Sequence, residues 1–164
     1  MKIVVNDTNI LNDLVDLDLL EGFTKLNYEL HTNDFIISEI EKPEQLVKIQ
    51  QIEKTGKLII ATTEAKEYIE ISKLQTKNLT FEDCSVWYYA KKVNGTLLTG
   101  DNNLRNSALK SGIDVKGIFF IFDKLVENQI INKKTALEKL VKLEQKNSRL
   151  PKNEIEKRKT EWSS

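Results

Sequence analysis

Short apolar runs alternate along most of this chain with stretches in which apolar residues recur every three or four positions. The short runs predict buried strands, and the recurring spacing predicts amphipathic helices. Strands that alternate with helices are typical of a mostly parallel sheet with helices on both of its faces. The pattern therefore predicts an α/β protein built in three layers.

The predicted strands are the run that stops at Asp7, residues 28–32, 57–62 and 96–99, and the start of 115–122. The predicted helices are residues 8–20, a helix that Asn33 caps and Pro43 ends or kinks, a polar helix to about Glu53, residues 64–75, a helix from Thr80 to Asn94, and residues 104–110. A helix between successive strands returns the chain to the start of the next strand, as a parallel sheet requires.

The pattern changes from about Thr135, where two helical segments follow one another without a strand. The first segment is amphipathic, Pro151 interrupts the chain, and residues 153–162 are charged and helix-prone. We therefore expect residues 1–130 to form the α/β domain. Residues 131–164 are expected to form a helical extension that packs on this domain or trails from it.

The composition is that of a soluble globular domain without a strong net charge. The chain has 164 residues, of which 40% are hydrophobic and 30% are charged, and 25 basic residues balance 25 acidic ones. Without a strong basic field the protein is not expected to bind nucleic acid indiscriminately, so any such contact must be local. The longest apolar run, residues 118–122, is too short to cross a bilayer.

The single cysteine, Cys84, excludes a disulfide framework, and the single histidine, His31, leaves no paired spacing for a zinc site. We expect a cytoplasmic protein, because this cysteine usage fits a reducing compartment and no export signal precedes Asp7. His31 falls on a predicted strand, which favours a packed residue over a catalytic one.

Four acidic residues are candidates for chemistry. Asp7 ends the first apolar run, and Asp101 closely follows residues 96–99. Since ligands of open α/β sheets bind outside the carboxyl ends of the strands, both side chains are placed for a functional role. Glu39 falls at the edge of an apolar helix face, and Asp83 continues the buried stripe of its helix.

Four carboxylates that meet in one place favour a hard divalent cation. Mg²⁺ and Mn²⁺ prefer oxygen ligands, and Mg²⁺ usually retains several waters. Such an ion relieves the mutual repulsion of the carboxylates and keeps them ionised. It can also activate a water and stabilise the charge that develops on a phosphodiester, so the acids indicate metal-dependent hydrolysis.

Each acid also has a purely structural interpretation. Asp7 can cap the first helix, Asp83 can complete a capping box, and Asp101 can belong to a turn after a glycine. Glu39, taken alone, is more typical of a surface residue. The individual residues leave both interpretations open.

Four short motifs occur in order along the chain: VVNDTNI at residues 4–10, ISEI at 37–40, LTFEDCS at 79–85 and LLTGDNNL at 97–104. Together they resemble the PIN-domain ribonucleases, many of which are the toxins of toxin–antitoxin pairs. The resemblance covers about residues 2–125. It implies a PIN-like three-layer fold, with the C-terminal helical extension outside the general pattern.

The resemblance also implies the residues of the site. The catalytic and metal-binding acids of the family correspond to Asp7, Glu39, Asp83 and Asp101, with Asn9 and Thr99 as supporting polar residues. Some members have a further aspartate where this chain has Asn103, so the number of metal ions stays open between one and two. The implied cofactor is Mg²⁺ or Mn²⁺ and the implied substrate is RNA. A small antitoxin and a second copy of the chain are candidate protein partners.

Two sets of basic residues are candidates for substrate contact. Arg105 lies four residues beyond Asp101 and either neutralises a substrate phosphate or forms a surface salt bridge. Basic residues also outnumber acidic ones in the tail, at Lys146, Arg149, Lys152, Lys157, Arg158 and Lys159. The tail either contacts RNA or is a solvated helix that Leu150, Ile155 and Trp162 anchor to the domain.

Two other functions remain open on the sequence. The acidic pocket could belong to a catalytically silent module that binds an arginine of a partner. Asp7 and Asn9 also resemble the start of the haloacid-dehalogenase phosphatase motif, in which the second position is an aspartate. Those phosphatases proceed through an aspartyl phosphate, which distinguishes them from a nuclease.

Overall fold

A five-stranded parallel sheet forms the centre of the structure, a computed structural model that describes residues 1–164. Its strands are β1 (Lys2–Asn6), β2 (Tyr28–Asn33), β3 (Leu58–Ala61), β4 (Thr96–Leu98) and β5 (Val115–Lys116). Their order is β3-β2-β1-β4-β5, and every neighbouring pair is parallel. The predicted α/β fold with a parallel sheet is confirmed.

The helices are α1 (Thr8–Asp16), α2 (Leu20–Phe23), α3 (Asp34–Ser38), α4 (Pro43–Lys54), α5 (Glu67–Leu74), α6 (Phe81–Lys92), α7 (Asn102–Lys110), α8 (Ile118–Glu127), α9 (Lys133–Lys146) and α10 (Lys152–Trp162). Val4 and Val5 of β1 are both fully buried, as are Leu97 and Leu98 of β4. Since successive side chains of a strand point to opposite faces, both faces of the sheet are covered.

Two helices end well before their predicted C-terminal residues. The predicted helix 8–20 ends at Asp16, because Asp18 adopts a φ of 56°, which a right-handed helix cannot contain. The predicted helix after Asn33 ends at Ser38, and Pro43 begins α4 instead of ending its predecessor. Proline is tolerated in the first turn of a helix, where its missing N–H would have had no partner.

The C-terminal extension packs on the α/β domain. Ile155 and Trp162 of α10 are almost fully buried and belong to the same hydrophobic core as β1. The Trp162 ring stacks on Phe122 of α8 with 5.9 Å between ring centroids. Arg158 donates to both carboxylate oxygens of Asp123, which also lies on α8, at 2.9 and 2.7 Å. The interpretation of α10 as an anchored helix is confirmed, whereas the division of the chain near residue 130 stays a prediction.

None of the helices combines the length and hydrophobicity that crossing a membrane would need.

Replacing Trp162 by alanine tests the packing of the extension. We expect a loss of roughly 3–5 kcal/mol in the free energy of unfolding, because the substitution leaves a cavity where a large ring packs on Phe122. Urea unfolding followed by circular dichroism measures this loss.

The matched control is Lys157→Ala, which changes an exposed side chain of the same helix. It should alter the free energy of unfolding by no more than about 0.5 kcal/mol. Equal unfolding midpoints for the two variants would contradict an anchoring role for Trp162.

Candidate active site

The carboxyl ends of β1 and β4 lie side by side, and this pairing brings two distant parts of the chain together. Asn6 is in register with Leu98, and the backbone N–H of Asp7 donates to the carbonyl oxygen of Leu98 at 3.0 Å. The residues that follow these two strands, Asp7 and Thr99, therefore lie next to each other. The Thr99 hydroxyl donates to Asp7 Oδ2 at 2.7 Å and accepts from the backbone N–H of Asp101 at 3.1 Å.

Asp7 is the most buried acid of the site. Its side chain is only 4% exposed, and its other oxygen, Oδ1, accepts from the backbone N–H of Thr8 at 2.8 Å. Burial raises the pKa of Asp7 from 3.8 to about 6, although the hydrogen bonds from Thr99 and Thr8 oppose the rise. The negative charges of Asp83 and Glu39 add to the increase. An ionised Asp7 is thus held in an environment that a nearby cation would make more favourable.

Glu39 reaches the same place from the end of α3. It follows the last residue of that helix, and its Oε1 accepts from the Thr8 hydroxyl at 2.6 Å. Partial burial raises the pKa of Glu39, and the charges of Glu82 and Asp83 raise it further. Thr8 therefore contacts two acids at once, Asp7 through its backbone and Glu39 through its hydroxyl. The sequence analysis did not identify this role, and the only available signal was the position of Thr8 directly after Asp7.

Asp83 and Asp101 both hold the first turn of a helix. Asp83 completes a capping box on α6: Thr80 Oγ1 accepts from the Asp83 N–H at 3.1 Å, and Asp83 Oδ2 accepts from the Thr80 N–H at 2.9 Å. Asp101 caps α7, where its Oδ1 accepts from the N–H of Leu104 at 2.8 Å. Asp7 likewise caps α1. The capping interpretations of Asp7 and Asp83 are confirmed, and Asp101 is a helix cap as well, not a simple turn residue.

Three of the four carboxylates keep one oxygen free, whereas both oxygens of Asp7 accept hydrogen bonds. Asp83 Oδ1, Asp101 Oδ2 and Glu39 Oε2 make no hydrogen bond within the protein. A carboxylate has two oxygens, so one can satisfy a helix terminus while the other faces a ligand. The structural and chemical interpretations of these acids are therefore compatible.

One cavity of about 900 Å³ is lined by all four acids. Three of the supporting residues named from the sequence also line it: Asn9, Thr99 and Arg105. Asn103, an exposed residue of α7, does not line it. Lys146 and Arg149, named from the sequence as candidates for substrate contact, also line the cavity. The remaining polar walls were not predicted from the sequence and come from α1, the segment around the start of α4, α7 and the connection between α9 and α10: Thr8, Asn12, Asp13, Asp16, Glu41, Lys42, Gln45, Asn102 and Asn147.

A buried asparagine fixes the two helices that carry Glu39 and Asp83 relative to the sheet. Asn33 ends β2 and is 1% exposed; its Oδ1 accepts from the N–H of Ile36 at 2.9 Å and so caps α3. Its Nδ2 donates to the hydroxyl of Ser85 on α6 at 3.1 Å. The sequence predicted the cap, but not the link to α6.

The acids line one cavity without forming a closed set of ligands. No group of three or more His, Cys, Asp or Glu side chains lies close enough together to hold a metal ion. The chemistry of the donors nevertheless suits Mg²⁺ or Mn²⁺, since carboxylate oxygens with free lone pairs face a common space beside a buried acid of raised pKa. The residues therefore fit a divalent cation in chemical type.

Acidic residues outnumber basic ones on the cavity wall, where Lys42, Arg105, Lys146 and Arg149 are the four cations among seven acids. Arg105 is exposed and forms no ion pair within the protein, so the salt-bridge interpretation of this residue is not realised. Lys146 also lines the cavity, but its ammonium group is bonded to Asp13 at 2.8 Å and to Asp16. Arg105 consequently keeps its donors available for an anionic ligand.

His31 and Cys84 lie outside the cavity, as expected. His31 is buried in β2, with one ring nitrogen 2.6 Å from the Tyr89 hydroxyl and the other 2.7 Å from Glu29. Burial raises the pKa of the Cys84 thiol to about 11, so this side chain packs as a neutral thiol. Neither residue offers a nucleophile to the site.

Comparisons with known proteins give the same fold. A family model described as a PIN domain matches residues 3–164. Among solved structures, a PilT N-terminus domain protein from the hyperthermophilic archaeon Sulfolobus solfataricus is 17% identical with a TM-score of 0.51, over 76% of this chain and 94% of that one. A domain of a functionally unknown protein from Methanocaldococcus jannaschii is 20% identical with a TM-score of 0.52, over 72% of this chain and 91% of that one. No curated protein matches the chain.

The solved structures share the fold at low identity, whereas the family model spans almost the whole chain. Its matched range also includes α9 and α10, beyond the residues that carry the resemblance in the sequence. The four ordered motifs, the parallel sheet and this match agree with one another. The chain belongs to the PIN-domain family.

Proposed function

We propose that this protein is a metal-dependent endoribonuclease that hydrolyses phosphodiester bonds of single-stranded or looped RNA. The observation that carries the proposal is the convergence of four acids, from four separate segments of the chain, on one cavity at the carboxyl end of the sheet. This is the position in which open α/β folds bind their ligands. Membership of the PIN-domain family supports the same proposal, since PIN domains are generally nucleases and typically use divalent metals.

Asp7, Glu39, Asp83 and Asp101 are the residues that would hold Mg²⁺ or Mn²⁺. A divalent ion bound by them supplies an activated water and stabilises negative charge on the phosphodiester. Thr99 orients Asp7 through its hydroxyl, and Thr8 orients Glu39 in the same way. The exposed Asn9 side chain lies on the cavity wall as a polar contact for water or substrate.

Arg105 is the substrate-binding residue in this proposal. Its guanidinium group is exposed, lines the cavity and has no acidic partner in the protein. A guanidinium group can donate two parallel hydrogen bonds to a phosphate, which fixes the phosphate in position as well as neutralising it. Asn103, the further polar residue named from the sequence, lies outside the cavity wall and is given no role in this proposal.

A catalytically silent binding module is the second candidate. The lack of a preassembled group of three metal-binding side chains favours it. Such a module would use the free carboxylate oxygens to bind a cationic side chain of a partner. The two functions differ in whether the pocket binds Mn²⁺ and whether RNA is cut.

Replacing Asp7 by asparagine should abolish RNA cleavage. Asparagine keeps the size of the side chain and can still cap α1, but it removes the charge that the metal requires. We expect a rate at least about 100-fold lower, by the scale on which single catalytic interactions are lost. Cleavage of a labelled RNA that contains both paired and unpaired segments, in Mn²⁺, measures the effect.

The matched control is Asp18→Asn, which makes the same change of charge at an exposed residue outside the cavity. Asparagine also tolerates the left-handed backbone of that residue, where φ is 56°. The control should cut RNA at the wild-type rate in Mn²⁺ and lose all cleavage in excess chelator. Undiminished cleavage by the Asp7 variant, or by the wild type in chelator, would contradict the proposed mechanism.

The pKa of Asp7 predicts an unusual dependence of stability on pH for the metal-free protein. Its folded-state value of about 6 exceeds the ordinary 3.8, so between these values the folded protein keeps a proton that the unfolded chain has lost. The contribution of Asp7 to stability therefore falls as the pH rises through this window. Above pH 6 the raised pKa of Asp7 lowers the free energy of unfolding by on the order of 3 kcal/mol.

Asp7→Asn should consequently be more stable than the wild type at pH 7.5 in chelator, and the difference should shrink towards pH 4. Thermal unfolding at several pH values measures it, with Asp18→Asn as the control that shows no such trend. Addition of Mn²⁺ should raise the melting temperature of the wild type more than that of the Asp7 variant. A variant that is no more stable than the wild type at pH 7.5 would contradict the assigned pKa of Asp7.

We also infer that the protein is the toxin of a toxin–antitoxin pair, an assignment that rests on the resemblance to toxin nucleases of the same family. A free RNA-cutting enzyme has to be restrained, and a small protein that covers the acidic cavity would do so. The tagged protein, expressed from its native locus, should co-purify with a small neighbour-encoded protein that suppresses cleavage. Purification of the active protein alone would contradict the assignment. A homodimer stays a prediction, which size-exclusion chromatography with light scattering can test.

A further inference from the structure

The connection between α9 and α10 forms a wall of the acidic cavity. Asn147, Arg149, Leu150 and Pro151 line the cavity together with Lys146 at the end of α9. These residues lie outside the four motifs that carry the family resemblance. The tail therefore contributes to the site, and does so through the connection between its helices.

This connection is held at both of its ends. On one side Lys146 binds Asp13 and Asp16 of α1, the helix that Asp7 caps. On the other side Trp162 and Arg158 fix α10 against α8. Within the connection, the backbone N–H of Arg149 donates to the side-chain oxygen of Asn147 at 3.0 Å. The backbone that carries Arg149 is thus tied to the same scaffold as the acids.

The basic residues of the tail fall into two groups. Those in ion pairs within the protein are Lys146 with Asp13 and Asp16, Arg158 with Asp123 and Glu154, and Lys159 with Glu144 and Glu156. Those without an ion pair are Arg149, Lys152 and Lys157, and all three are exposed. Only Arg149 of this second group lines the cavity. The basic character of α10 is therefore largely structural, and one cation of the tail is left available at the site.

A polyanionic substrate needs this cation. Seven acidic residues line the cavity and the whole chain has no net charge, so an approaching RNA phosphate is repelled unless cations are close by. Lys42, Arg105 and Arg149 are exposed, line the cavity and have no acidic partner. Of these three, Arg105 and Arg149 carry a guanidinium group, which can donate two parallel hydrogen bonds to a phosphate. They come from different elements, α7 and the α9–α10 connection, so they can contact different phosphates of one strand.

We propose that Arg149 is a substrate-positioning residue, and that the α9–α10 connection completes the RNA-binding groove of the site by contacting a backbone phosphate. The proposal rests on the ribonuclease function proposed above. It predicts that Arg149 contributes to the binding of RNA and not to the chemical step, because its guanidinium group acts on the substrate and is separate from the metal-binding acids.

The test measures binding and cleavage separately. Binding of a fluorescein-labelled single-stranded RNA is followed by anisotropy in Mn²⁺, with Asp7→Asn as the common background so that the RNA stays intact. Adding Arg149→Ala should weaken binding roughly tenfold, the scale of one lost charge-assisted hydrogen bond. The slope of log affinity against log salt should also decrease by about 0.7, as expected for one fewer phosphate contact on a single strand.

In the otherwise wild-type protein, Arg149→Ala should raise KM while leaving kcat nearly unchanged, and Arg149→Lys should restore part of the binding because it keeps the charge. Lys157→Ala is the matched control: it removes one unpaired, exposed cation of the same tail that lies outside the cavity. The control should leave affinity, salt slope and KM at their starting values. Unfolding midpoints of both variants show whether the fold is intact.

The possible results separate the two proposals. If the wild type cuts RNA and Arg149→Ala binds and cuts like Lys157→Ala, the inference about Arg149 is wrong and the ribonuclease function stands. An equal loss of affinity in both variants would also overturn it, because it would reflect the total charge of the tail. If the wild type neither binds nor cuts RNA, the ribonuclease function fails and the inference fails with it.

Discussion

Parallel pairing of β1 with β4 determines where the residues of the site lie. The ladder continues one residue past both strands through the bond from the Asp7 N–H to Leu98, so Asp7 and Thr99 become neighbours although they are far apart in the chain. Val4 and Val5 of β1 and Leu97 and Leu98 of β4 are fully buried, and a slip of one residue would turn each of these side chains to the wrong face. The hydrophobic core thus fixes the register, and the register fixes the contact between the first acid and its orienting hydroxyl.

The same parallel arrangement makes Asp7 and Asp101 helix caps as well. In such a sheet each strand delivers the chain to the start of a helix at one common edge, where backbone N–H groups lack partners. Asp7 and Asp101 satisfy these groups on α1 and α7, which follow β1 and β4, whereas Asp83 caps α6, which follows α5. The positive ends of the helices also favour carboxylates at this edge. Local stability and the concentration of negative charge therefore have the same origin, and a residue that caps a helix here is not thereby excluded from chemistry.

The part of the site that follows directly from strand ends and helix starts could be predicted from the sequence. Asp7 and Asp101 stand at the ends of short apolar runs, and Thr80 three residues before Asp83 is a local capping signal. The bond between Thr8 and Glu39 could not be predicted, because it depends on how the packing of α3 against β2 and α6 brings the end of α3 to the start of α1. The two boundary errors, at Asp18 and Pro43, have local causes, since periodicity alone does not reveal a single left-handed residue or distinguish a proline that begins a helix from one that ends it.

The tail shows why composition alone was ambiguous there. Its sequence is basic, and each of the two interpretations of that charge applies to some of its residues. Arg158 and Lys159 of α10 bind acids of the protein itself, whereas Arg149 has no acidic partner. The packing of α8, α9 and α10 decides which cations form ion pairs, because it determines which acids come close to them. These distances cannot be read from the linear sequence.

In a chain without net charge, the location of the unpaired cations matters more than their number, because only cations beside the acidic cavity can offset its field on an approaching phosphate. The extension thus couples stability to electrostatics. The ion pairs that hold α10 in place also neutralise its charges. The α9–α10 connection is then the one part of the tail that adds an unpaired positive charge to the cavity wall.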